Sequence, residues 1–174
     1  METHRKKQVV QPARESKNYV RHPSGGRWDT EFIAAVVNAA FEVERPVRAG
    51  GDRTSPQGVR DEMQRGAFFV AEENGRIVGS VFTRIAGSTG YFGMLAVEPS
   101  LQGSGTGRAL REHVEAYWKA HGCTQMTLST GDFRTELLPY YHRAGYRVVS
   151  CEPSSGAVWN LSKQFQIVHM AKEL

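Results

Sequence analysis

The chain has 174 residues, 40% of them hydrophobic and 23% charged, enough for one globular domain with a sizeable core. Its 22 Lys and Arg against 18 Asp and Glu leave a net charge of +4, a mild excess that suits anionic small molecules as well as nucleic acid. Two cysteines, Cys123 and Cys151, sit in no CxxC or Cys/His cluster, so no metal is expected, and they fit a reduced, cytoplasmic setting. The apolar runs fall far short of the roughly 20 residues that span a bilayer. The charged N-terminus lacks the apolar segment of a signal peptide, so no membrane partner is expected.

Residues 1–16 read as a flexible basic N-terminal arm rather than a nucleic-acid face, and residues 17–174 as a single domain. "KNYVRH" (17–22) suits a short strand. A helix follows from Asp29 to Glu44, with Phe32, Val36, Ala39 and Val43 on one face and Pro46 behind it as a stop. "VRAGGDRTSPQG" (47–58) is a loop of turn residues with two arginines, and Ser55 then caps a short helix that ends at Gly66. Strands at 67–73 and 76–86 flank Asn74-Gly75, the strongest hairpin signal in the chain. The almost wholly apolar "TGYFGMLAVEP" (89–99) predicts a central strand covered on both faces. Next come a helix over 108–122 with Leu110, Val114 and Tyr117 as its stripe, and a strand at 123–130. A helix at 134–145 and two late strands at 146–151 and 164–170 complete the chain. Pro139 is compatible with that last helix only near its start, where the first amides lack partners anyway. The order predicts a mixed α/β sheet with helices on both sides.

Between the central strand and the long helix stands "SLQGSGTGRAL" (100–110), with Gly103, Gly105 and Gly107 in five residues. A nucleotide P-loop would continue as Gly-Lys-Ser/Thr, but here Gly107 is followed by Arg108 and Ala109. A dinucleotide fingerprint needs G-x-G-x-x-G, which the spacing does not give. A plain strand-to-helix turn would need one glycine. Three glycines with Ser104 and Thr106, opening a helix whose first amides are unpaired, also suit a cradle for phosphate oxygens, with Arg108 adding a cation.

"MLAVEPSLQGSGTGRAL" resembles the acetyl-CoA signature of the GCN5-related N-acetyltransferases (GNAT): an apolar strand, V-x-P, then Q/R-x-x-G-x-G/A, filled here by Gln102, Gly105 and Gly107. "LPYYHRAGY" resembles the family's second hallmark through Tyr141, Gly145 and Tyr146, and the element order over 17–170 is similar to the family's. The resemblance implies an α+β acyl-CoA N-acyltransferase fold: a mixed, mostly antiparallel sheet of six to seven strands flanked by about four helices. It implies acetyl-CoA as co-substrate and a β-bulge that splays the strand at 91–97 from the strand at 123–130.

Residue by residue, the resemblance implies that Leu95, Ala96 and Val97 meet the pantetheine arm. Gln102, Gly103, Ser104, Gly105, Thr106, Gly107 and Arg108 would hold the pyrophosphate, and Tyr141 would protonate the leaving thiolate. Some members carry a glutamate at the start of the strand before the loop; Tyr91 stands there in this chain. Glu44 is then the candidate base or amine anchor, with water-relayed deprotonation as the default. Many members carry an asparagine seven residues before the tyrosine, where this chain has Arg134. Arg53, Arg134 and Tyr91 are the candidate acceptor contacts, and Arg53 suits a carboxylate or phosphate. The implied activity is acetyl transfer to a small-molecule primary amine. A protein or peptide acceptor and a non-catalytic acyl-CoA-binding module are the competing readings, and a homodimer is the assembly family members often form.

Overall fold

A computed structural model describes residues 19–22, 27–48, 50–155 and 163–174. The arm read over 1–16 and the first two residues of the strand read at 17–22 lie outside them. Among the described residues seven strands run in chain order as β1 (Tyr19–Arg21), β2 (Ala67–Glu73), β3 (Arg76–Ala86), β4 (Thr89–Val97), β5 (Gln125–Gly131), β6 (Arg147–Pro153) and β7 (Gln166–Glu173). They form one sheet in the order β1-β2-β3-β4-β5-β7-β6. Only β4 and β5 pair parallel; every other neighbouring pair is antiparallel. The helices are α1 (Arg27–Ala40), α2 (Pro56–Met63), α3 (Thr106–Ala120) and α4 (Leu137–Arg143), with 3-10 turns at Glu42–Val47 and Pro99–Leu101.

The sheet lies between two apolar layers. On one side Ile33 and Val37 of α1 and Val59 of α2 pack with Phe68 and Val70. On the other side Leu110 and Val114 of α3 pack with Phe69 and Ala71, and Tyr141 of α4 joins them. Successive residues of β2 therefore serve opposite layers, as strand geometry requires. Each fully buried phenylalanine contributes about 1.5–3 kcal/mol to the fold. The helix α3 is tied to the end of the chain by one buried carboxylate. Glu115 accepts from Arg111 at 2.6 Å, Tyr146 at 2.8 Å and Lys172 at 2.7 Å. Burial alone would raise Glu115, but those three donors overcome it and hold the carboxyl below its ordinary range.

Three sequence readings need correction. The buried face of α1 is Ile33, Val36, Val37 and Ala40, while Phe32 and Val43 are exposed. The run is apolar almost all round, so two stripes share the helical spacing and only tertiary contact chooses between them. The α-helix also stops at Ala40, and Pro46 falls inside a tighter 3-10 turn instead of just ending the helix. Strand β4 is not covered on both faces: Gly90, Phe92 and Ala96 are buried, but Tyr91, Gly93, Leu95 and Val97 are only half-buried. Those four line an open cleft.

Candidate active site

The cleft exists because β4 parts from β5 after Tyr91 while it stays paired with β3 as far as Val97. Ser80 pairs with Ala96 and Phe82 with Gly93, so Val81 alone faces both Met94 and Leu95. That is a β-bulge, and it holds Met94 at a φ of 46°. A side chain in that region costs about 1–3 kcal/mol, so the surrounding fold must enforce it. Pairing with β5 covers Thr89, Gly90 and Tyr91 and then ends. The root of the split is fastened by side chains. Trp118 donates to Thr83 Oγ1 at 2.6 Å, Thr83 donates to the Tyr91 carbonyl at 2.7 Å, and Thr127 donates to the Gly90 carbonyl at 3.1 Å. The splay expected between these two strands is present.

Beyond the split lies the glycine loop. Gly103 and Gly105 take φ values of 82° and 95°, and a Cβ on either would point into open space. Gly105 caps α3 in the left-handed conformation, so the helix starts at Thr106. Its opening amides point outward with no helical partners, beside the exposed Arg108. Close packing seats the helix: a Cβ on Gly79 would lie 3.0 Å from Leu110 and 3.2 Å from Thr106. Ser104 and Thr106 do not line the cleft; their hydroxyls bond each other at 2.9 Å and brace the loop. Ala96 turns its side chain into the core. Gln102 reaches back to the Val97 carbonyl at 3.4 Å.

One cavity of about 960 Å³ joins the loop to the other candidates. Leu95, Val97, Gln102, Gly103, Gly105, Gly107 and Arg108 line one end. Glu44, Arg53, Tyr91 and Arg134 line another part, and Tyr141 lines the same cavity within electrostatic reach of Arg134 and Tyr91. Tyr141 is buried against Phe92 and Tyr146, and burial pushes its phenol well above the ordinary tyrosine range. Burial likewise raises Tyr91, against the opposing pull of Arg84 and Arg53. The Tyr91 ring lies along its own strand over Gly93, where a Cβ would stand 2.7 Å from its hydroxyl.

At the far end an ion pair bridges segments 90 positions apart: Arg134 donates to Glu44 at 2.9 Å. Arg134 also holds Glu136 at 2.7 Å, and Arg53 approaches the second Glu44 oxygen at 3.9 Å. Three candidates chosen separately from the sequence therefore form one cluster. Sequence reasoning missed Arg84, Phe41 and Phe82 as cleft residues. A signal existed for Arg84: the hairpin register sets it opposite Tyr91. Glu98, which follows β4, pairs with Arg76 at 2.8 Å outside the cleft.

The sequence pattern of the acetyltransferase (GNAT) domain family matches residues 64–148, from the end of α2 to the start of β6. Just under half of this chain therefore matches the GNAT acetyltransferase domain. An acetyltransferase of Pectobacterium atrosepticum is 34% identical to it over 84 residues. The match takes in 48% of this chain and 60% of that protein. The GNAT fold is also shared with solved structures. A ribosomal-protein-alanine N-acetyltransferase from Brucella melitensis superposes with a TM-score of 0.73 at 14% identity, covering 90% of this chain and 99% of that one. A GNAT family acetyltransferase from Elizabethkingia anophelis with acetyl-CoA bound gives a TM-score of 0.65 at 17% identity, covering 92% and 100%. The matched segment holds the bulge, the glycine loop and Tyr141. Glu44 and Arg53 precede it. No described helix is long and apolar enough to cross a membrane.

Proposed function

We propose that this chain moves the acetyl group of acetyl-CoA to the primary amine of a small molecule, by direct attack in a ternary complex. The observation that carries this reading is the single cleft that runs from the glycine loop, past Tyr141, into a chamber bridged by Glu44 and Arg134. The residues present fit the co-substrate. The outward amides of the first turn of α3, with Arg108, suit a pyrophosphate. Beyond Tyr91, β4 has shed its β5 partner, so Leu95 and Val97 border a gap in which an amide-bearing pantetheine chain can bond as another strand would. When bound, acetyl-CoA supplies an activated acyl thioester and a thiolate leaving group.

Tyr141 stays protonated because burial opposes its ionisation. It can donate a hydrogen bond to a sulfur as negative charge develops there; a thiol, near pKa 8.5, is a stronger acid than a tyrosine, so the proton rests on the phenol while the bond steadies the leaving thiolate. The amine must arrive without its extra proton, although a free alkyl amine has a pKa of about 10. Among the described residues, each glutamate lining the chamber is in an ion pair: Glu44 with Arg134, Glu62 with Arg65, and Glu136 with Arg134. Glu44 is therefore assigned a positioning role, holding Arg134 and Arg53 beside the acceptor. Nearby guanidinium groups disfavour a second cation, which pushes an ammonium toward its neutral form and sends the proton to water.

The relatives support acetyl transfer without choosing the acceptor, since some act on protein amines by name. The reading keeps the chain in the cytoplasm, where an exposed thiol such as Cys151 stays reduced. The test is release of free thiol from acetyl-CoA with a panel of small amines, amino acids and peptides. Turnover of a small amine is the expected result. Release with peptides alone would replace the acceptor, and acetyl-CoA binding without release would leave only a binding module.

A further inference from the structure

The acceptor chamber carries five arginines, Arg48, Arg53, Arg65, Arg84 and Arg134, against Glu44, Glu62 and Glu136. Glu62 pairs with Arg65 and Glu136 with Arg134, so the one remaining carboxylate, Glu44, serves both Arg134 and Arg53. The loop that presents Arg53 reads from sequence as turn residues, yet it is bolted down. Asn38 of α1 exchanges two hydrogen bonds with the Thr54 backbone, each 3.0 Å. Arg48 donates to the carbonyls of Gly51 at 3.1 Å and Phe41 at 3.2 Å. Ser55 then caps α2 through the Gly58 amide at 3.0 Å. Held this way, the Arg53 guanidinium lies 5.4 Å from the Phe41 ring, with a side-chain exposure of 21%. Arg84 lies 5.0 Å over the Tyr91 ring at the same end of the cleft. A cation fixed in place and largely removed from water gains most from a second oxyanion, because little ordering is left to do.

We infer that the acceptor is an amine that also carries an oxyanion, a carboxylate or phosphonate, received by Arg53 with Arg84 alongside across the Tyr91 ring. The inference rests on the acetyl-transfer reading and narrows its substrate class. Tyr91 stays protonated and adds a neutral donor at the same end. Phe41, Phe82 and Met94 line the same cleft, which suits an apolar side chain on that acceptor.

The test uses matched acceptors with acetyl-CoA saturating: methionine, its primary amide, and its aminophosphonate analogue. Thiol release is followed for the wild type, Arg53→Gln and Arg53→Lys. The acid and the phosphonate should exceed the amide in kcat/KM by about tenfold or more. Arg53→Gln should cut that ratio by about tenfold, mainly through KM, and Arg53→Lys should restore part of it. A preference for the phosphonate alone would name that anion, and one for methionine alone the carboxylate. A second arm measures N-acetylmethionine binding to the CoA-loaded protein by calorimetry, with thermal unfolding as the check that the variants fold. Binding should weaken at least about tenfold in Arg53→Gln. Acid and amide turned over alike, or a preference that survives Arg53→Gln, would overturn the anion site and leave acetyl transfer standing. No turnover of any amine, with N-acetylmethionine binding still dependent on Arg53, would overturn acetyl transfer and support the anion site. N-acetylmethionine bound equally by both proteins, or by neither, would overturn the anion site.

Discussion

The two ends of the cleft are made of different material. The glycine end is backbone: positive-φ glycines, outward amides at the start of α3, and a strand freed from its neighbour by a bulge. The acceptor end is side chain: Glu44 from a 3-10 turn, Arg53 from a pinned loop, Arg84 and Tyr91 from facing strands, and Arg134 from the turn before α4. A site made of backbone depends on a short contiguous stretch of sequence and suits a constant ligand. A site made of side chains from five segments can change its ligand by single substitutions while the fold stays as it is.

The contrast is most exposed at the backbone end. Gly105→Val forces a β-branched residue into a φ of 95° and puts its side chain into the loop's open space. Acetyl-CoA affinity, measured by calorimetry, should fall by about a hundredfold or more while the circular dichroism spectrum keeps its shape. Normal binding would show that the loop is not the phosphate cradle.

Tyr141→Phe acts where the two ends meet. Its kcat should fall by roughly a hundredfold, with the acetyl-CoA dissociation constant within about twofold of wild type. An unchanged kcat would remove Tyr141 from the chemistry.

Glu44→Gln separates positioning from proton transfer at the side-chain end. A positioning residue should show itself mainly in the acceptor KM, raised about tenfold, with the shape of the pH–rate profile kept. A kcat loss of about a hundredfold or more, with loss of the basic limb of that profile, would make Glu44 the base instead.

A smaller effect concerns the scaffold beneath both ends. Glu115 has a folded-state pKa below its ordinary value, so the stability it contributes is present above pH about 4.5 and is lost as the pH falls through the depressed value. The melting temperature should therefore drop steadily below pH about 4.5, and Glu115→Gln should flatten that drop. The smallest effect is Gly93→Ala, whose new methyl would displace the Tyr91 hydroxyl at 2.7 Å. It should raise the acceptor KM a few-fold and leave acetyl-CoA affinity alone; a shift in the latter would mean that the two ends are not separable.

The same contrast explains what could be read from sequence. Gln102, Gly103, Gly105 and Gly107 lie within six residues, and their backbone job is written in residue type, so the loop was legible in the sequence itself. The hairpin at Asn74-Gly75 and the Pro139 constraint on α4 were local too, and both hold. The buried stripe of α1 was not legible, because an apolar run offers two faces and only the sheet picks one. Nor was the open face of β4: a strand lining a cleft and a strand under a helix are both written in apolar residues. Arg53 and Arg134 could be named singly, but the Glu44 carboxylate that joins them lies 90 positions from Arg134, and no local signal carries such a pairing.

If both substrates occupy one cleft together, the amine attacks the thioester directly. Initial rates measured while acetyl-CoA and amine are both varied decide whether it does. Double-reciprocal lines that intersect are expected, as a ternary complex requires. Parallel lines would mean that the acetyl group first rests on the protein, and direct attack would then be wrong.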